Sequence, residues 1–168
     1  MARKAKPIPK GYTSITPYLV QKSCAEAIRC YQKALGAKVL TKMAGPGGSI
    51  MHCEIQIGNA ILMMSDEFPG MSPPPPSAER PSSMNVMVYS EKIDALFKKA
   101  QKAGFSLEMP LANMFWGDRF GKLKDPFGYS WAFGEHLEDV APAEMKKRAK
   151  KAMAEMAKSQ PPVAPPPA

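Results

Sequence analysis

One pattern limits what this chain can fold into. The same run of elements occurs twice, and a proline tract separates the copies. The first copy opens with a strand at residues 13–20 and continues into a helix at about 23–35. Ser23 suits the N-cap of that helix, Glu26 completes a capping box, and Gly36 suits the left-handed residue that ends it. Strand-like runs cover 37–43, 49–57 and 60–66, and Gly58-Asn59 joins the last two as a hairpin turn. The second copy opens with a strand at 83–89. A helix at about 91–103 carries Ile93, Leu96, Phe97 and Ala100 on one face and stops at Gly104. Strand-like runs return at 106–112, 115–124 and 129–134, with Asp125-Pro126-Phe127-Gly128 as the turn before the last. Each copy is therefore βαβββ.

The segment between the copies holds six prolines in 69–81, four of them consecutive from Pro73 to Pro76. It cannot be helix or central strand and reads as an extended linker. A third helix is expected at about 142–158, where Pro142 suits the first helical position and Met145, Ala149, Ala152, Met153 and Met156 recur at helical spacing. The chain thus divides into a disordered basic arm at 1–12, a first module at 13–68, a linker at 69–82, a second module at 83–140, a C-terminal helix at 141–158 and a disordered Pro/Ala tail at 159–168.

Composition removes several classes of function. With 45% hydrophobic and 23% charged residues the chain is an ordinary globular one. No apolar run is long enough to span a bilayer, and the basic start lacks the apolar stretch of a secretory signal. Three cysteines, Cys24, Cys30 and Cys53, are too few and too scattered for a disulfide framework, and suit reduced thiols in a cytoplasmic protein. The net charge of +8 sits at the ends: 13 basic residues balance 13 acidic ones over 13–140. A nucleic-acid partner, which wants a basic stripe on a structured face, is not expected. Nor is a membrane partner.

Several local words are more specific than the topology. They are Ile15-Thr16-Pro17-Tyr18-Leu19-Val20 followed by Ala27-Ile28-Arg29-Cys30-Tyr31 and Leu35-Gly36-Ala37, then Met63-Met64-Ser65-Asp66-Glu67, then Phe115-Trp116-Gly117-Asp118-Arg119-Phe120-Gly121 with Asp125-Pro126-Phe127-Gly128-Tyr129-Ser130-Trp131, and lastly Glu138-Asp139-Val140 with Glu144-Met145. On these residues the chain resembles the vicinal oxygen chelate superfamily of glyoxalase I, bleomycin-resistance proteins and extradiol dioxygenases, and within it the PhnB-like branch. The resemblance implies an α+β fold in which two βαβββ modules form a cup-shaped mixed sheet, with the C-terminal helix added. It also implies a divalent metal held by residues of the opening and final strands of each module. Here those positions fall on Thr16 (or Ile15), Leu62, Asn85 and Ala132. Leu and Ala cannot coordinate a metal, and Thr and Asn are weak ligands, so neither metal nor other cofactor is expected.

The candidate site is read from the residues that remain. Strand alternation puts His52, Glu54 and Gln56 on one face and Met51, Cys53, Ile55 and Ile57 on the other. Histidine titrates near neutrality and a carboxylate can orient it, so His52 and Glu54 are the candidate catalytic pair. Trp116 offers a flat apolar surface, and Arg119 can grip an anionic group in two-pronged fashion unless Asp118 neutralises it. Tyr18, Met64 and Asn85 are assigned to the ligand wall with them. His136, among acids after the last strand, reads as solvated. The expected function is binding of a small anionic or aromatic molecule in the cup by a homodimer. Whether the chain turns that molecule over stays open. The alternatives are a metal-dependent lyase or dioxygenase with its ligands moved to His52 and Glu54, and a non-enzymatic drug-sequestration protein.

Overall fold

The computed structural model describes residues 5–77 and 79–159. The expectations for the first four residues and for most of the Pro/Ala tail lie outside them.

Ser23 caps α1 (Cys24–Leu35), its hydroxyl accepting from the Glu26 amide at 3.4 Å, and Gly36 ends the helix with φ 69°. The first module is β1 (Tyr18–Gln21), α1, β2 (Lys38–Ala44), β3 (Ile50–Ile57) and β4 (Ala60–Asp66). The second repeats it with β5 (Asn85–Tyr89), α2 (Ile93–Lys102), β6 (Ser106–Asn113), β7 (Asp118–Lys124) and β8 (Ser130–His136), and α3 (Pro142–Ser159) follows. The fold is the expected α+β pair of tandem βαβββ modules with a C-terminal helix. The opening strands are shorter than the apolar pattern suggests, because Pro17 has no amide to give a ladder, although its carbonyl accepts from Met63.

The two sheets have the same order, β1-β4-β3-β2 and β5-β8-β7-β6. In each, the opening strand runs parallel to the final strand and the other pairs are antiparallel. Hydrogen-bonded pairing runs through each module and does not cross between them, so the mixed sheet is two four-stranded halves.

One face of each half is covered by its helix. In the first, Leu19, Cys53, Ile55, Leu62 and Met64 lie buried there; in the second, Leu123, Trp131 and Phe133 do. These two covered faces share one core. Helix α1 packs against α2, and Tyr31 meets Trp131 edge-on at a ring separation of 5.2 Å and Phe127 at 6.0 Å. The opposite, open face of each sheet looks away from that core. The proline linker is packed rather than loose: Pro75 is buried, and Pro76 lies over Gly128, where a Cβ would come within 2.9 Å of it. Among the described residues, no helix is long and apolar enough to cross a membrane.

Candidate functional site

The open face of the first module carries Tyr18 from β1, Met63 from β4, His52, Glu54 and Gln56 from β3, and Met43 from β2. The ladders pair Tyr18 with Met63, Met63 with Glu54 and Met43 with His52. These side chains do more than share a face. His52 Nε2 lies 3.2 Å from Glu54 Oε1, and His52 Nδ1 lies 3.3 Å from the Tyr18 hydroxyl. Tyr12, at the end of the N-terminal arm, stands beside Glu54. Tyr12 and His52 beside it hold the Glu54 carboxyl below its usual range, and the Glu54 carboxylate, with burial, pushes the Tyr12 phenol up to about 12. His52 and Glu54 are thus brought together on an open face. Tyr12, expected in a disordered arm, lies against this group. The signal available for it was the lone aromatic next to Gly11 in an otherwise basic and proline-bearing arm.

The second module splits the Trp-Gly-Asp-Arg cluster between its two faces. Adjacent strand residues point opposite ways, so Asp118 and Arg119 cannot both look into one site. Arg119 turns to the helix side, where Nε and Nη2 donate to the two oxygens of Asp94 at 2.7 and 2.6 Å and Nη1 donates to Asn113. It is Asp94, not Asp118, that neutralises it. Trp116 sits in the turn before β7, packed edge-on against Phe120 of the open face at 5.6 Å. Asn85 begins β5 on the open face, and Met64 is wholly buried in the core on the helix side.

Asp118 has different partners. It is 7% exposed, takes the Tyr89 hydroxyl on one oxygen at 3.2 Å and holds His136 Nδ1 on the other at 2.7 Å. His136 Nε2 meets Asp139 at 2.9 Å. Asp118 first, then Asp139, raises the His136 pKa, and burial with the Asp118 charge raises that of Tyr89. Gly134 makes room for this group: a Cβ there would overlap Met87 Cε and meet the Tyr89 ring at 2.9 Å. The apolar alternation predicts a last strand that ends at residue 134 and a solvated His136; His136 is exposed, but β8 runs as far as that residue. Running the alternation Ser130, Ala132, Gly134 two residues further puts His136 on the open face.

The divalent metal that the resemblance implies does not fit these residues. Leu62 faces the helix, leaving Ile61 and Met63 as the open-face residues of β4. On the opening and final strands of the second module the face offers Asn85, Met87, Ser130 and Ala132. A set of two thioethers, an alkyl group, a methyl, an amide and a hydroxyl is not one that binds such a cation. Among the described residues, no three His, Cys, Asp or Glu side chains gather where they could hold a metal ion.

The model of the glyoxalase/bleomycin resistance protein/dioxygenase superfamily matches residues 13–133, both modules and the linker. The chain belongs to that superfamily. A relative described as Uncharacterized protein Mb0911c, from Mycobacterium bovis, is 31% identical over 130 residues, which span 76% of this chain and 86% of the relative. Two solved structures share the fold. TioX from Micromonospora is 22% identical with a TM-score of 0.61 over 74% of this chain and 99% of its own. A PhnB protein from Bacillus cereus is 22% identical with a TM-score of 0.53 over 73% of this chain and 99% of its own, which is compatible with the PhnB-like branch.

Proposed function

We propose that this superfamily member binds a small aromatic or anionic molecule on the open face of its first module, and that a second copy of the chain completes the cup around it. The observation that carries this reading is the Glu54–His52–Tyr18 chain lying on a face that no element of its own module covers. A hydrogen-bonded His–carboxylate pair flanked by a tyrosine hydroxyl presents donors and acceptors whose roles swap with the imidazole proton. That is what a ligand with an acidic or enolisable group requires. His52 exchanges the proton, Glu54 orients the ring, and Tyr18 hydrogen-bonds the ligand beside it. No metal takes part.

The second copy enters through the apolar residues around these polar ones. Tyr18 is 47% exposed and Met43 55%; on the second module's open face Met87 is 38% and Tyr89 61% exposed. Large apolar side chains left in the open on two sheet faces are the usual mark of an unfilled interface.

The test uses anilinonaphthalene sulfonate, an aromatic anion whose fluorescence reports binding. Wild-type protein is expected to bind it saturably, and His52→Ala to bind it about tenfold more weakly, as loss of a charge-assisted contact of about 1.5 kcal/mol requires. Equal binding by the two proteins, with His52→Ala folded, puts the site elsewhere.

A further inference from the structure

The two modules repeat closely enough to be laid on one another. Their opening and final strands pair in the same register, Tyr18 with Met63 and Asn85 with Ser130, 45 residues apart in each case. Their helices begin at Cys24 and Ile93, 69 residues apart. A shift of 69 therefore carries β1 onto β5 and β4 onto β8 with the helix-side residues in step: Leu19 falls on Val88, Leu62 on Trp131 and Met64 on Phe133. The same shift carries Val20 onto Tyr89 and Ala60 onto Tyr129, and at that last pair the repetition breaks. β1 and β5 are both edge strands. The Gln21 carbonyl accepts from Glu67 and the Ser90 amide donates to Gly134, so by alternation the Val20 and Tyr89 backbone carbonyls both point to the unpaired edge. At the first edge the buried Tyr129 fills the space, and its hydroxyl donates to the Val20 carbonyl at 2.7 Å. At the second edge Ala60 stands in the place of Tyr129. Among the described residues, no side chain caps the Tyr89 carbonyl as Tyr129 caps that of Val20. A cavity of about 430 Å³ lies there between the modules, lined by Ala60 and Tyr89 and walled by Leu35, Ile57, Leu62, Val86, Val88 and Leu96.

We infer that this cavity is a second binding site, separate from the His52 face, and that it takes a small phenol whose ring fills the place of the missing tyrosine and whose hydroxyl donates to the Tyr89 carbonyl. The volume and the aliphatic walls suit one ring with a short apolar substituent. The hydroxyl sets the class. A ring without a donor would displace water from the Tyr89 carbonyl and leave that group unpaired, which costs a hydrogen bond. An anion fits worse still. A carboxylate or phosphate brings no donor to a carbonyl, and no Lys, Arg or His is among the described residues that line the cavity. The site lies within one chain and uses neither His52 nor Glu54, so it stands apart from the open-face reading.

The test titrates the full-length protein with 4-ethylphenol and with ethylbenzene, which has the same ring and substituent but no hydroxyl. Calorimetry should show one 4-ethylphenol per chain and about tenfold weaker binding of ethylbenzene, the loss that one hydrogen bond predicts. In isotope-labelled wild-type protein, the amide resonances that 4-ethylphenol shifts should centre on residues 57–62 and 86–90. Ala60→Tyr, which supplies the phenol from the chain itself, should abolish binding and raise the melting temperature by a few degrees. Ala60→Phe should abolish binding with a smaller rise. His52→Ala should bind 4-ethylphenol as the wild type does, so failure of the open-face reading leaves this result untouched. Absence of saturable binding overturns the inference, as does equal affinity for the two probes. So do amide shifts centred on Tyr18 and His52, or full binding by a folded Ala60→Tyr protein. The shift map needs no variant, so the outcome does not depend on whether Ala60→Tyr folds.

Discussion

The Tyr31 hydroxyl donates to Asp125 Oδ2 at 2.7 Å, joining the helix of the first module to the last turn of the second. Asp125 is 3% exposed and also accepts from Trp131 Nε1 and from the amides of Phe127 and Tyr129. Burial pushes its carboxyl up, and these four donors oppose that shift. The carboxylate holds the modules together because it is satisfied from both sides. Tyr31→Phe removes one donor and should cost about 1.5–3 kcal/mol. Asp125→Ala strands all four donors in the core and should cost about 3–5 kcal/mol. Denaturant melts of both variants check the order. Equal, sub-kilocalorie losses would remove Asp125 from this role.

The Arg119–Asp94 fork lies on the helix side and at the surface, so its loss should touch stability only slightly and ligand binding not at all. Arg119→Ala is expected to lower the melting temperature by a small amount that shrinks further in high salt. Its affinity for the sulfonate probe should equal that of the wild type. A clear loss of affinity in a folded Arg119→Ala protein would show that the fork opens to meet the ligand.

His136 gives a pH signature. Its folded pKa is raised by Asp118 and Asp139 above the ordinary value of 6.5. A raised value means that the folded state binds the proton more tightly, so this stabilisation is complete below about pH 6.5 and fades as pH rises through the folded pKa. Thermal melts of wild type and His136→Gln should therefore differ most in mildly acidic buffer and converge in alkaline buffer. A gap that widens with pH would reverse the sign and exclude the ion pairs as its cause.

Closure of the cup by a second copy makes assembly measurable. Light scattering at micromolar concentration should give about twice the chain mass of 18.3 kDa. Met43→Glu combined with Met87→Glu, which puts charge on both open faces, should shift the species toward monomer and weaken the probe in parallel. A wild-type monomer that still binds the probe would separate binding from assembly.

The sequence by itself determined the topology. Ser23, Gly36, Gly58-Asn59 and the four-proline run are local punctuation, and local punctuation acts through backbone preferences that need no distant partner. The alternation of His52, Cys53 and Glu54 likewise fixed which of them share a face, because the pleat has a period of two wherever the strand goes. Tertiary structure decided which partner each charged residue finds. Arg119 stands beside Asp118 in sequence, but the pleat sends them to opposite faces, and α2 delivers Asp94 from 25 residues away. His136 is exposed, as its acidic neighbours suggest, but β7 brings Asp118 opposite it through an antiparallel register set by long-range pairing. Tyr12 comes beside Glu54 only through the folding of the arm onto β3. Hydrogen bonds and charges are satisfied by whatever the fold carries within about 3 Å, and sequence distance has no say in that.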